Sequence, residues 1–225
     1  MHYTALVEVW PDESMAFFRE LPGCLSSALT YEEAITTAPA AIAAHLQWLK
    51  ANGLLEKMDN EIALVVGETI EVSDGQKGPR FEADQPPPAD DEIDNALNVA
   101  AMARVDLLQV YESLPEHDRD RSPRPGEWSI NEHMWHIVEA EAWYISRLTE
   151  HPGANPANSL PSDVSKALLE IAMDSEQALR ELTATQRERV YLHEDEEWTA
   201  AKVLRRLVGH LREHYPWIEA IAREL

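Results

Sequence analysis

Residues 85–92 read QPPPADDE. Three consecutive prolines fix φ and remove three backbone N–H donors, so no helix can run through them. The chain must fold as two stretches joined across this point. The reading is a two-domain protein: an N-terminal unit at 1–84, a Pro-rich linker at 85–91 and a C-terminal unit at 92–225.

The stretch before the linker mixes two periodicities. YTALVEVW (3–10) and MAFFREL (15–21) are rich in strand formers, and PDES between them reads as a turn. LPGC (21–24) is a second turn. Thr30 and Glu33 have the spacing of a capping box, which opens a helix over about 31–51. Ala34, Ile35, Ala38, Ile42, His45, Leu46 and Leu49 supply its apolar stripe, and Asn52-Gly53 ends it. EIALVVGETIEV (61–72) supplies one or two further strands. The expectation is a small α+β unit.

After the linker the periodicity is helical throughout. Helix one covers 91–114, with Ile93, Leu97, Ala100, Ala101, Leu107 and Leu108 at helical spacing. Ser129 and Glu132 cap helix two over 130–149. Pro161 and Ser162 begin helix three, which runs to about 183, and Thr199 caps helix four. Four helices of similar length suggest an all-α four-helix bundle. The connection at 184–198 is long for a bundle loop, and such loops often carry function or cover a site.

The sequence also narrows the class of function. Of the 225 residues, 41 are acidic and 19 basic, a net charge of −22 spread over the whole length. Such a surface repels phosphate backbones, so no nucleic-acid partner is expected. No run of about 18 apolar residues occurs, so no membrane span is expected. MHYTALVEVWPDE lacks the pattern of a signal peptide. A lone cysteine, Cys24, fits a reducing compartment, and we expect a cytoplasmic protein.

The histidines carry the chemistry. Val203, Leu207, His210, His214, Ile218 and Ile221 form one continuous stripe on helix four. Its solvated side is then Arg205, Arg206, Arg212, Glu213, Glu219 and Arg223. His210 and His214 therefore point inward, four residues apart and able to share one ion. On helix two, His136 lies on the buried side and offers a third imidazole; His133 is a weaker alternative ligand. Three neutral imidazoles leave a coordination position open to water or substrate, as in catalytic zinc sites. Imidazole also suits nickel, iron and copper. The competing reading is a set of buried, hydrogen-bonded histidines. A di-iron bundle would need Glu-x-x-His pairs, and neither helix has one.

Other residues admit two readings each. Glu139, one turn after His136, can orient a ligand ring as an outer partner. His193 in YLHEDEEW can act as an acid, a base or a fourth ligand, or lie in a solvated acidic loop. Cys24 reads as a small buried hydrophobe rather than a nucleophile. Trp128, Trp135, Trp143 and Trp217 serve packing or shape an apolar pocket.

GEWSINEHMWHIVEAEAWYISRL (126–148) resembles the helix-two signature of the DinB-like superfamily, with Trp128, Ser129 and His136 at its spacing. HLREHYPWI (210–218) resembles that superfamily's helix-four signature, although Pro216 and Trp217 depart from it, and Pro216 is expected to kink the helix. This resemblance implies an antiparallel bundle with one long crossover. It further implies a divalent metal, zinc or nickel first and iron next, on His136, His210 and His214. It also implies a homodimer and, in some members, metal-dependent transfer or isomerisation with a low-molecular-weight thiol. YTALVEV, ELPGCLSSALT and YEEAI resemble the HicB-like antitoxin domain, a truncated ribonuclease H-like fold. No DNA-binding tail accompanies it, so we expect a binding or oligomerisation module.

The expectation is thus a metal-dependent hydrolase or thiol transferase acting on a small molecule. The alternative is a non-catalytic binding or sensor protein whose HicB-like half recruits a protein partner. An antitoxin, paired with a small basic toxin, is a third reading.

Overall fold

The computed structural model describes residues 2–57, 61–73, 78–150 and 160–225. The N-terminal part is a four-stranded mixed sheet with a helix against it. β1 (His2–Val9), β2 (Ser14–Phe18) and β3 (Leu25–Ala28) form an antiparallel meander. α1 (Tyr31–Ala51) then crosses to β4 (Ala63–Glu71), which pairs parallel to β1, giving the order β3-β2-β1-β4. A parallel pairing needs such a crossover, and α1 supplies it. Thr30 caps α1 by accepting from the Glu33 N–H. Residues 61–72 yield one strand, not two.

Beyond the prolines, four long helices pack around a common core: α2 (Asp90–Ser113), α4 (Ile130–Ser146), α5 (Val164–Arg180) and α7 (Ala200–Glu224). The short α3 (Glu116–Arg119) lies between α2 and α4. In the bundle, α7 packs on α2 and α4, and α5 packs on the same two from the other side. Ser129 and Glu132 form the expected reciprocal capping box at α4. α4 ends at Ser146 rather than 149. α7 runs through Pro216 to Glu224 without a break.

The connection 184–198 is not an open loop. It folds as α6 (Ala184–Glu188) and a hairpin of β5 (Tyr191–His193) and β6 (Glu196–Trp198). Glu194 and Asp195 make the hairpin turn at φ 51° and 70°, the left-handed region that two-residue turns require. Trp198 at its end is fully buried. The Lys202 ammonium lies 3.6 Å above the Trp198 ring centroid and donates to the Glu197 carbonyl at 2.8 Å. Burial pushes that lysine down to about 7.

One assignment fails on α7. The sequence pattern puts Arg205, Arg206, Arg212 and Glu213 on a solvated face, yet all four are buried or half-buried. α7 is covered on two sides, by the bundle and by the N-terminal sheet. Gly209 and Gly23 show how close the approach is. A Cβ on Gly209 would lie 3.2 Å from the Phe17 ring, and one on Gly23, at φ +77°, only 2.8 Å from Val208 Cγ1. One apolar cluster accordingly includes Ala5, Ile42 and Leu46 together with Leu107, Ile137 and Leu207.

The arginines on this second face are paired. Glu8, fully buried in β1, accepts from Arg205 Nη1 at 3.0 Å and from Arg206 Nη2 at 2.5 and 2.6 Å. Arg205 also reaches Asp84 at 2.7 Å. Arg212 stacks 3.9 Å from the Trp48 ring centroid, while the Trp48 indole donates to Asp106 at 2.6 Å. A buried charge needs such partners, because its desolvation costs several kcal/mol. Cys24 lies nearby, buried; its burial pushes the thiol up to about 12, against the opposing pull of Arg212.

Candidate metal centre

The centre is built on adjoining faces of α4 and α7. Four residues along a helix bring side chains one above the other, so His210 and His214 meet. The packing of α4 against α7 delivers His136. The Nε2 atom of His210 is 3.1 Å from the Nε2 atoms of both His136 and His214. The three donor atoms lie within 4.8 Å of one another, a grouping that could hold a metal ion.

The chemistry of the donors fits an ion better than hydrogen bonds alone. A neutral imidazole carries one N–H, so His210 Nε2 can donate to one neighbour only, while facing two at equal distance. Three lone pairs converging on one ion resolve that conflict. Two nitrogens bound to one ion at about 2.0–2.1 Å in a tetrahedral arrangement stand roughly 3.3 Å apart, close to the spacing present here.

Burial also keeps these rings neutral, which ligation requires. His210 is held well below the usual histidine range by burial, then by His214 and His136. His214 is lowered to about 3, by burial first and then by His136 and His133. His136 is lowered by burial against the opposing influence of Glu139. His45 on α1 is likewise lowered to about 3, by burial first and Arg212 second. The unfolded chain therefore takes up these protons before the folded one does. The stability these imidazoles contribute to the metal-free protein should be full above about pH 6.5. It should fall as pH drops from 6.5 toward 3, by on the order of a few kcal/mol for each of His214 and His45. Urea midpoints measured across that range would check this; a flat profile would contradict it.

The remaining expected residues distribute differently. His133 is buried, and its Nδ1 stands 3.0 Å from Nδ1 of His214, on the far side of that ring from the cluster. Glu139 is exposed, and among the described residues it makes no hydrogen bond to His136; its effect there is electrostatic only. His193 is buried in the hairpin, stacked on Tyr191, with Nε2 2.9 Å from the Arg147 carbonyl oxygen, and does not join the cluster. Tyr144 meets His210 edge-on at 5.9 Å. Trp128 and Trp217, each 45% exposed, flank the cluster: Trp128 is 4.9 Å from His136 and Trp217 5.1 Å from His214 between ring centroids. Their adjacency to the histidines is legible in WSINEHMWH and HYPW; their exposure is not.

Fold and site together define a helical bundle with a three-imidazole cluster at the seam of two helices. The chain belongs to the DinB superfamily, whose family model matches residues 100–218. Among solved structures, YfiT from Bacillus subtilis is similar over 67% of this chain and 94% of its own. The identity is 24% and the TM-score 0.48; YfiT is described as a probable metal-dependent hydrolase with an unusual four-helix bundle topology. No curated protein matches the chain. No described helix is long and apolar enough to cross a membrane.

Proposed function

We propose that this protein is a metal-dependent enzyme of small-molecule chemistry, a hydrolase or a thiol transferase. Zinc or nickel, or failing those iron, would be held by His136, His210 and His214. The observation that carries this reading is the pair of 3.1 Å contacts at His210 Nε2, which one proton cannot satisfy. A divalent ion there would supply Lewis acidity, polarising a carbonyl or lowering the pKa of a water or thiol.

The chain's own residues do the rest. Burial holds the three imidazoles neutral and free of competing protons. His133 fixes the ring of His214: if His214 carries its proton on Nδ1 and gives it to His133, Nε2 keeps its lone pair toward the cluster. His133→Phe should therefore weaken zinc affinity roughly 10–100-fold. A chelator-competition titration would read this, and an unchanged affinity would remove His133 from the role. Tyr144 packs edge-on against His210, and the positive charge of Arg206 further disfavours a proton on that ring.

The enzymatic reading is tested by loading the protein with each metal and assaying ester hydrolysis and thiol conjugation to an electrophile. Stoichiometric metal without turnover in either assay would favour the non-catalytic alternative. In that alternative the N-terminal part, whose order of three strands, a helix and a parallel strand is compatible with a HicB-like module, is the working half. Such a module would recruit a protein partner or a second copy.

A further inference from the structure

Beside the histidine cluster the surface sinks into a hollow of about 340 Å³, walled by Pro123, Trp128, His133, Trp217 and Ile221, with Ala220 at its side. We propose that this hollow is a subsite for a planar aromatic group of the substrate that carries no negative charge. The proposal rests on the reading of the cluster as a metal centre, because the subsite's use is to hold a substrate against that centre.

Four observations carry it. First, the two indoles are each 45% exposed, whereas Trp198, which serves packing, is fully buried. Leaving two large aromatic faces half-wet forgoes apolar burial that packing would have gained. Second, the hollow adjoins the cluster. Trp128 contacts both His133 and His136, at 5.2 and 4.9 Å between centroids; Trp217 contacts His133 and His214, at 6.1 and 5.1 Å. A group seated between the indoles thus lies against His133, which contacts the ligand ring of His214. Third, the size is suitable. A cavity of about 150 Å³ accepts benzene, so this one has room for a substituted ring.

Fourth, charge excludes anions. Among the described residues the one guanidinium in the lining, Arg124, is shared between Glu127 and Glu224, with its shortest contact to each at 3.3 Å. The lining therefore carries a surplus carboxylate, on a protein of net charge −22. An aromatic ring without charge offers the indoles edge-to-face or offset contacts and meets no repulsion.

The test uses the full-length, metal-free protein and three probes: benzyl alcohol, cyclohexylmethanol and benzoate. Binding is read from the indole N–H resonances of the Trp side chains. Benzyl alcohol should shift the Trp128 and Trp217 signals. Cyclohexylmethanol, equally apolar but not planar, should bind about two- to tenfold more weakly, since an aromatic pair adds about 0.5–1.5 kcal/mol beyond area. Benzoate should bind more weakly still. Trp217→Leu should reduce benzyl alcohol affinity about tenfold. Ala220→Phe, which fills the hollow while leaving both indoles in place, should block the shifts. No shift with benzyl alcohol, or equal shifts with all three probes, would overturn the proposal. Metal binding is measured separately on the same samples. If the probe binds but metal does not, the metal reading falls and the aromatic site survives; if metal binds and the probe does not, only the subsite is lost.

Discussion

Replacing His210 by alanine is expected to remove tight metal binding. His210 is the central member of the cluster, since both 3.1 Å contacts converge on its Nε2. Losing a partner outside the ligand set commonly costs 10–100-fold in affinity, and losing this ligand should cost more than that. Equilibrium dialysis against zinc would show it, with His193→Ala as the control. His193 contacts the Arg147 carbonyl, away from the cluster, so that variant should keep wild-type affinity. A His210→Ala protein that retained its zinc would refute the three-histidine site. A His193→Ala protein that lost it would place the site elsewhere.

The second large effect concerns stability. Glu8→Gln keeps the shape of the side chain but leaves Arg206 without its carboxylate, with neither group exposed to water that could compensate. Breaking one side of a buried pair costs about 3–5 kcal/mol. The urea midpoint should fall accordingly with an unchanged slope. Glu8→Met combined with Arg206→Met should cost less than Glu8→Met alone, because the double variant leaves no orphaned charge from that pair. A change within about 0.5 kcal/mol for Glu8→Gln would place the pair among ordinary surface contacts.

These two predictions draw on parts of the molecule that differ in how well the sequence discloses them. The inward turn of His210 and His214 follows from the stripe Val203 to Ile221, and His136 from its place on α4; the Thr30 cap and the Ser129–Glu132 capping box fix where α1 and α4 begin. Those signals are local, repeating every three to four residues. The error over Arg205, Arg206 and Arg212 has the opposite origin. Charge on a helix reads as solvated until a partner from a distant segment is known, and Glu8 is 198 residues away from Arg206. A clue is present: Glu8 stands within the strand-forming run YTALVEVW, where a lone carboxylate facing a core would demand a cation. The hairpin at 191–198 is hidden because HEDE contains no glycine or asparagine to announce a tight turn. Glu139 and His193 sit at plausible spacings, but spacing along one element does not say which way a ring or carboxylate finally points.

Glu8 and Arg206 meet across nearly the whole sequence, and synthesis is vectorial. At about 5–20 residues per second, Glu8 leaves the ribosome roughly 10–40 s before Arg206 does. During that interval β1 can pair with β2 by local contacts, yet Glu8 near its end has no counter-charge and one face of the sheet lacks the cover of α7. The same helix then brings the arginine, the apolar cover and two of the three imidazoles within a few turns. Glu8 stays without its cation until α7 is made, and the same helix completes the three-histidine cluster.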